Sequence, residues 1–196
     1  MKYILYDLEA LGKRDRDHDD FMEIVEIAAI KVEVSHNKAR VIDSFQSFVK
    51  PVFHKKITKK LHKLLSFTEQ DLQNAPEYDK ALSAFYAWAG DDVIYVSWGH
   101  DEDMIYTNNM KHYLFDYSSM DCLDLQFIYD MHNDKKLRTG LKTALQEQNY
   151  EFEGQQHTAL DDAKNMLPLF QQYLQDIRSY FHSFNPNHFT ANVAFA

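Results

Sequence analysis

The chain has one cysteine, Cys122, and no long uninterrupted apolar run, and each shortage excludes a class of protein. A single cysteine cannot form an intramolecular disulfide, so the chain is not a disulfide-stapled secreted domain. A membrane-spanning helix needs about 20 apolar residues in succession, whereas acids or amides interrupt every apolar run here. The first residues lead into an apolar segment that already carries carboxylates, which is unlike a signal peptide. We therefore expect a cytoplasmic protein with no membrane partner.

Basic residues are also scarce, because 21 lysines and arginines stand against 30 aspartates and glutamates and the formal net charge is −9. This balance argues against a nucleic-acid partner, since phosphate binding normally relies on clustered basic side chains. The segment from Lys50 to Thr68 differs from the average, because it contains lysines and histidines but no acid. Such a run is often only solvated surface. The alternative is that it touches nucleic acid, and we take Lys55, Lys56 and Lys59 as the candidate nucleic-acid-binding residues.

The first third of the chain reads as strands. Apolar, aromatic and β-branched residues predict strands at Tyr3–Leu8, Phe21–Val34 and Val41–Val49. The pair His36-Asn37 supplies a turn between the second and third of them. We expect these strands to form an antiparallel meander.

Strands and helices alternate in the remainder. The expected elements are, in order, a helix at Tyr78–Ala89 that ends at Gly90, a strand at Val93–Val96 and a helix at Asp101–His112. A strand that runs into a helix follows over Asp121–Ile128. Two further helices are expected, one at Leu137–Gln148 and one from Thr158 to about Tyr180 with a kink at Pro168. A meander followed by β-α-β units predicts an α/β fold with a mixed five-stranded sheet flanked by helices.

No repeat or low-complexity linker indicates a second domain, so residues 1–180 are expected to form one domain. The tail, residues 181–196, carries phenylalanines that would pack on this domain or on a partner subunit, which leaves monomer and homodimer both open.

Two acids close the first predicted strand, Asp7 and Glu9. Strand alternation puts their side chains on the same face. Neighbouring carboxylates beside an apolar strand repel each other unless a cation neutralises them, which points to metal binding. The alternative is a strand that simply ends in solvent.

A second acidic signal opens the last long helix. With Thr158 as N-cap, Asp161 falls at the third helical position and completes a capping box, while His157 and Asp162 fall at positions that meet in space. Those two positions usually hold an apolar contact, so a histidine and a carboxylate there favour a functional pair. The alternative is a surface histidine beside an acidic first turn that complements the helix dipole.

A third signal is the run Ser97-Trp98-Gly99-His100 followed by Asp101, Glu102 and Asp103, where a strand ends, a glycine turns the chain and acids open a helix. Asp101 is suited to the N-cap position of this helix. If Asp101 is the N-cap, Glu102 and Asp103 diverge by about 100° around the helix, so only one of them faces a site shared with Asp7 and Asp162. Acids also cap helices, so this run alone is weak evidence for a functional site.

These three segments together resemble the DEDDh, or DnaQ-like, 3'-to-5' exonuclease family, over about residues 1 to 180. Within it they resemble most the branch that contains histone-mRNA 3' exonucleases and bacterial KapD-like proteins, because His157-Thr158-Ala159-Leu160-Asp161-Asp162 is similar to that branch's third motif. The order and spacing of three motifs are more specific than any one. The second motif departs from the family: aligned on Trp98-Gly99, the family's aspartate falls on Glu102, and an inserted residue restores Asp103. We favour Asp103, because an apolar residue follows it; Asp101 stays the third possibility.

The resemblance implies an RNase H-like fold and two ions, Mg²⁺ or Mn²⁺, about 4 Å apart around the scissile phosphate. It implies that Asp7, Glu9, Asp103 and Asp162 are metal ligands and that Glu9 also binds the terminal 3' hydroxyl. It implies that His157 takes a proton from the attacking water. The substrate would be the 3' end of single-stranded RNA or DNA, released as nucleoside 5'-monophosphates.

Two other functions compete with this interpretation. One is a catalytically degenerate module of the same fold that binds nucleic acid or protein, for which the irregular second motif is the best support. The presence of Asp7, Glu9, His157 and Asp162 argues against it, and a metal-binding assay separates the two. The other takes His18-Asp19 as part of an HD-type phosphohydrolase, but that chemistry resides in an all-helical domain and this chain begins with strands.

Overall fold

A computed structural model describes residues 1–12, 21–54, 67–114 and 120–183. They form one mixed sheet with the strand order β3-β2-β1-β4-β5. The strands are β1 Lys2–Leu11, β2 Glu23–Ser35, β3 Lys38–Phe48, β4 Val93–Ser97 and β5 Cys122–Asp124. The helices in these ranges are α1 Glu69–Gln73, α2 Tyr78–Ala89, α3 Asp101–Lys111, α4 Leu125–His132, α5 Leu141–Glu147, α6 Ala159–Gln172 and α7 Leu174–Ser183. The predicted α/β sheet flanked by helices is confirmed.

The first three strands form the antiparallel meander that the sequence predicts. Its β2–β3 turn holds His36 and Asn37, both with positive φ, 50° and 61°. Two successive residues in this region give the turn a twist that matches paired strands, which is why short polar residues occupy it. The strands β4 and β5 then add in parallel beside β1.

Helices cover both faces of the sheet, and the alternation of β1 assigns each of its residues to one of them. Tyr3 and Leu5 belong to a core that includes residues of α4 to α7. Ile4 and Tyr6 belong to the opposite core, against α2 and α3. Because side chains alternate along a strand, the odd-numbered Asp7 and Glu9 extend onto the face covered by α6.

Two helix predictions were wrong in detail. The predicted helix from Leu137 begins at Leu141, after Gly140 at the N-cap. The predicted single helix from Thr158 to Tyr180 is two helices, and the break lies at Tyr173 rather than at Pro168, which is inside α6. The short helix α1 was not predicted; Thr68 caps it and forms a capping box with Asp71. The described residues contain no helix long and apolar enough to cross a membrane.

Candidate active site

The candidate site lies where β1 and β4 end. Because these strands are parallel, their carboxyl ends share an edge of the sheet, and this edge is where ligands bind in open α/β sheets. The strand β1 delivers Asp7 and Glu9, β4 leads into the start of α3, and the first turn of α6 brings Asp162 across the sheet. Three segments far apart in sequence therefore converge.

Three carboxylates form the centre of this site. One oxygen each from Asp7, Glu9 and Asp162 lies within 4.8 Å of the others, and all three residues are partly buried. Among the described residues, no lysine or arginine forms an ion pair with any of them. The structure thus brings together three of the four predicted metal ligands.

Burial raises the pKa of each of these carboxyls, and repulsion by neighbouring acids adds to it. The pKa of Asp7 is raised well above its ordinary value, first by burial and then by Asp101 and Asp162. Burial and Asp162 raise the pKa of Glu9 to about 8. Burial raises the pKa of Asp162 to about 6, although the backbone N–H of His157 opposes the shift. A divalent cation would favour the ionised forms of all three.

A fourth carboxylate, that of Glu26, lies next to the cluster. It was not predicted to be a site residue. Glu26 is fully buried on β2 and pairs in register with Glu9. Its carboxylate accepts hydrogen bonds from Gln46 Nε2 at 2.7 Å and from the backbone N–H of Ala159, the first residue of α6, at 3.5 Å. It therefore ties the start of α6 to the sheet. The sequence offered no specific signal for it, because the predicted strand Phe21–Val34 also carries Glu23 and Glu33.

The second motif differs from the prediction. The N-cap of α3 is His100, not Asp101, and no side chain caps the helix. The Asp101 carboxylate is consequently not occupied by the helix N–H groups, and its Oδ2 is buried without a hydrogen-bond partner among the described residues. Asp101 is also the acid whose charge acts most strongly on Asp7.

Asp103, the favoured second-motif ligand, is not brought to the cluster. It is exposed and lines a cavity with Thr107. Glu102 also has a buried oxygen, Oε2, without a hydrogen-bond partner among the described residues, but it lines a cavity with Cys122. Burial and then the charge of Glu102 raise the pKa of that thiol to about 12. Of the three acids, Asp101 is therefore the one whose charge acts on Asp7, since helical neighbours diverge by about 100°.

The start of α6 follows the predicted numbering but not the predicted hydrogen bonds. Thr158 is the N-cap, yet its hydroxyl makes no cap bond and is buried without a partner among the described residues. Asp161 accepts instead from the backbone N–H of Gln155 at 3.0 Å and from Lys164 Nζ at 3.3 Å. The predicted capping box was therefore wrong, because Asp161 turns back onto the loop before the helix.

The predicted meeting of His157 and Asp162 is present in another form. The backbone N–H of His157 donates to Asp162 Oδ2 at 2.9 Å. His157 itself is exposed and has a φ of 63°. Residues other than glycine are uncommon in this left-handed region, although histidine is enriched there. The bond holds the backbone of His157 next to a cluster carboxylate, and its side chain lines an open cavity.

The candidate nucleic-acid-binding residues Lys55, Lys56 and Lys59 lie outside the described residues. Their predicted role stays a prediction.

The raised pKa values give a testable pH dependence. Glu9 and Asp101 have folded-state pKa values of about 8, whereas unfolded carboxyls titrate near about 4. Between these values the folded protein holds protons that the unfolded chain releases, so the metal-free protein loses stability as pH rises through this window. Because a cation removes the need for those protons, we expect the increase in melting temperature caused by Mn²⁺ to grow from pH 5 to pH 8.

The measurement is thermal unfolding in EDTA and in Mn²⁺ across that range. Asp7→Asn should shrink the increment at pH 8, whereas Asp176→Asn, an exposed change on α7, should leave it intact. An increment that is independent of pH in the wild type would contradict the coupling between cation binding and these carboxyls.

Together, the mixed sheet and the carboxylate cluster define an α/β protein with an all-oxygen site suited to divalent cations. The chain belongs to the Exonuclease (RNase_T) family, whose sequence model matches residues 4–170. The chain is 26% identical over 177 residues, 90% of its length, to a PolC-type DNA polymerase III from Staphylococcus haemolyticus. It is 32% identical over 102 residues, 52% of its length, to the PolC-type DNA polymerase III of a Staphylococcus aureus strain. The aligned parts make up only 12% and 6% of those proteins.

Solved structures share the fold. A 3'-exonuclease in a structure of 3'-end-specific recognition of the histone mRNA stem-loop has a TM-score of 0.76 at 17% identity, covering 89% of this chain and 82% of that one. The nuclease domain of 3'hExo, a DEDDh family member bound to rAMP, has a TM-score of 0.75 at 19% identity, covering 89% and 92%. Escherichia coli Exonuclease I in complex with an oligonucleotide has a TM-score of 0.64 at 14% identity, covering 93% and 43%. At such low identities the TM-scores show a common fold and no more, while family membership supports a nuclease activity.

Proposed function

We propose that this protein is a DEDDh-type 3'-to-5' exonuclease that hydrolyses single-stranded RNA or DNA to nucleoside 5'-monophosphates with two divalent cations. The observation that carries the proposal is the meeting of Asp7, Glu9 and Asp162 within 4.8 Å. None of the three forms an ion pair with a lysine or arginine of the described residues. Buried carboxylates without counter-charges are costly, and a site that must hold cations explains why the chain keeps them.

The residues present fit Mg²⁺ or Mn²⁺. The donor set consists of carboxylate oxygens, which are the ligands that these hard cations prefer. The buried Oδ2 of Asp101, which has no hydrogen-bond partner among the described residues, is an acceptor left for a cation or for its water shell. Bound cations would supply charge neutralisation and Lewis-acid activation for the attack on the phosphate.

Each residue then has a distinct role. Asp7, between Glu9 and Asp162 and influenced by Asp101, is central and would serve both cations. Asp162 would complete one cation site, and Asp101, in place of Asp103, would serve the other. Glu9 would hold a cation and accept a hydrogen bond from the terminal 3' hydroxyl, which selects the chain end as the place of cleavage.

His157 would accept the proton of the attacking water. His157 is exposed, as a group that exchanges protons with solvent needs to be, and imidazole is the side chain most often used for proton transfer near neutral pH. The hydrogen bond from its backbone N–H to Asp162 Oδ2 couples the loop to the cluster. Four residues separate His157 from Asp162, the spacing of the third motif in the DEDDh branch that includes histone-mRNA exonucleases and KapD-like proteins.

The proposed substrate class rests on the role of Glu9 and on the nucleic acids found with solved structures of the same fold. Among proteins of the same fold, a 3'-exonuclease recognises the histone mRNA stem-loop in a 3'-end-specific manner, and Exonuclease I is found in complex with an oligonucleotide. By analogy we propose a single strand with a free 3' end as the substrate. Lys55, Lys56 and Lys59 are proposed to contact its phosphates.

Polarity is the sharpest test of this proposal. The purified protein should be incubated with RNA and DNA oligonucleotides of one sequence, labelled at the 5' or the 3' end, in Mn²⁺. We expect the 3' label to appear at once as mononucleotide and the 5' label to shorten stepwise. An oligonucleotide ending in a 3'-phosphate should react at least about tenfold more slowly, because Glu9 cannot accept a hydrogen bond from it and repels its charge.

A circular strand of the same sequence is the matched control and should resist cleavage. Equal rates on circular, 3'-blocked and open strands would mean an endonuclease. Binding without cleavage of any strand would identify a degenerate nucleic-acid-binding module.

A further inference from the structure

Arg138 lies outside the carboxylate cluster, between two cavities that flank the first turn of α3. One cavity, of about 360 Å³, is lined by His100, Glu102 and Asp124 together with Arg138. The other, of about 440 Å³, is lined by Asp101, Trp98 and Gln126 together with Arg138 and His100. The side chain of Arg138 is 50% exposed. A permanently charged group therefore stands in an open groove beside the second-motif acid.

Asp124 holds this guanidinium in place. Its Oδ2 accepts a hydrogen bond from Arg138 Nη2 at 2.6 Å, and its side chain is only 12% exposed. Its Oδ1 accepts the backbone N–H groups of Gly99 and of Phe127, each at 3.1 Å. One carboxylate thus joins the turn after β4, the start of α4 and Arg138, so the guanidinium position is set by the sheet rather than by a mobile loop.

The turn at Gly99 brings Arg138 close to the active site. Gly99 has a φ of 113°, and a Cβ atom there would lie 3.5 Å from Gln126 Oε1 and 3.7 Å from Arg138 Nη2. Burial and Glu102 raise the pKa of Asp101 to about 8, and the charge of Arg138 is what opposes that shift. Arg138 and Asp101 line one cavity, whereas the carboxylates that lie within 4.8 Å of one another are those of Asp7, Glu9 and Asp162. Arg138 therefore lies beside the place where the scissile phosphate would be held and not at it.

We propose that Arg138 binds a backbone phosphate of the nucleic-acid strand 5' to the scissile phosphate, with Asp124 as its positioning residue. This rests on the proposed function and names how the strand is held. A guanidinium has five N–H donors, and Asp124 is its one hydrogen-bond partner among the described residues. The remaining donors suit the planar, bidentate contact that phosphate oxygens favour. The alternative is that Arg138 only neutralises the negative charges of Asp101 and Asp124.

A substrate with one phosphate distinguishes these roles. The p-nitrophenyl ester of thymidine 5'-monophosphate carries only the scissile phosphate, whereas a single-stranded oligonucleotide carries the phosphates that lie 5' to it. Arg138→Gln should lower kcat/KM for the oligonucleotide by about tenfold or more and change that for the ester by less than about twofold. Arg138→Lys should recover part of the loss, and Asp124→Asn should shift the same ratio in the same direction.

Arg40→Gln is the matched control. Arg40 is paired with Glu33 Oε2 at 3.2 Å and has a side chain that is 74% exposed. It lies at the end of the sheet remote from the cluster, because Glu33 pairs with Lys2 at the start of β1. This variant loses the same charge and should keep both kcat/KM values within about twofold.

A binding measurement decides the matter even if the protein hydrolyses neither substrate, which would sink the proposed function. In Ca²⁺, the slope of log affinity against log salt for a fluorescent single strand should become about 0.7 smaller in Arg138→Gln, the value for one lost phosphate contact. An unchanged slope, an equal loss on ester and oligonucleotide, or no binding by the wild type would overturn the assignment of Arg138.

Discussion

Asp7→Asn is expected to lower the exonuclease rate by about a thousandfold or more while leaving the protein folded. The amide keeps the shape of the side chain but removes the charge at the centre of the cluster, where Glu9, Asp101 and Asp162 all act on Asp7. Loss of a single electrostatic group in an active site costs about a hundredfold to a thousandfold, and a residue shared by two cations should exceed that. The measurement is the initial rate of mononucleotide release in Mn²⁺.

The melting temperature of Asp7→Asn in EDTA should stay equal to that of the wild type or rise, because a repelling buried charge is removed. Asp176→Asn makes the same chemical change at an exposed position on α7 and should leave the rate within about twofold. A rate for Asp7→Asn within tenfold of the wild type would remove Asp7 from the catalytic site. A lost rate together with a collapsed melting temperature would make its role structural.

The second large effect separates three adjacent acids. We expect Asp101→Asn to lower the rate by about a hundredfold, Glu102→Gln by less than about fivefold, and Asp103→Asn by less than about twofold. Asp101 and Glu102 each have a buried oxygen without a hydrogen-bond partner among the described residues, but Asp101 is the one whose charge acts on Asp7. Glu102 lines a cavity with Cys122, and Asp103 is exposed. The three amides are matched controls for one another, since each removes one charge from the same helical turn.

A large loss confined to Asp103→Asn would restore the alignment with an inserted residue and would mean that α3 rotates when substrate binds. A loss confined to Glu102→Gln would support the gapless alignment. If none of the three mattered, the cluster of Asp7, Glu9 and Asp162 would have to act without a second-motif acid, which favours a binding module.

The fold was largely predictable because its elements follow their hydrophobic periods. The strand β1 is a buried central strand, and the sequence Tyr3–Leu8 is apolar apart from its acid; α2 has the predicted bounds, Tyr78–Ala89, ended by Gly90 with a φ of 75°. The break at Tyr173 was not predictable in this way, because the composition of Leu174 onward continues a helical pattern. Helix boundaries of this kind depend on how the chain packs rather than on local propensity.

One part of the candidate site was predictable because the alternation of side chains along a strand determines it. The acid of the second motif was not predictable, because it depends on the backbone conformation of one residue. Asp7 and Glu9 share a face because strand side chains alternate. The choice between Asp101 and Asp103 depends on the backbone of His100, which adopts φ −103° and ψ 55° and so starts the helix one residue earlier than an Asp101 cap would.

Two further residues were missed for a different reason. Glu26 reaches the site through strand pairing with Glu9, and Arg138 reaches it from the segment after α4 by pairing with Asp124. Neither shares a motif or a helical spacing with the other site residues, so only tertiary contacts bring them to attention.

The most direct test of the central claim is the metal dependence of hydrolysis at a free 3' end. A 3'-labelled single strand is incubated with the wild-type protein in Mn²⁺, in Mg²⁺ and in excess EDTA, and the labelled product is identified. The account predicts nucleoside 5'-monophosphate as the first product with either cation and no product in EDTA. Undiminished release in EDTA, or a first product that is an internal fragment, would contradict it.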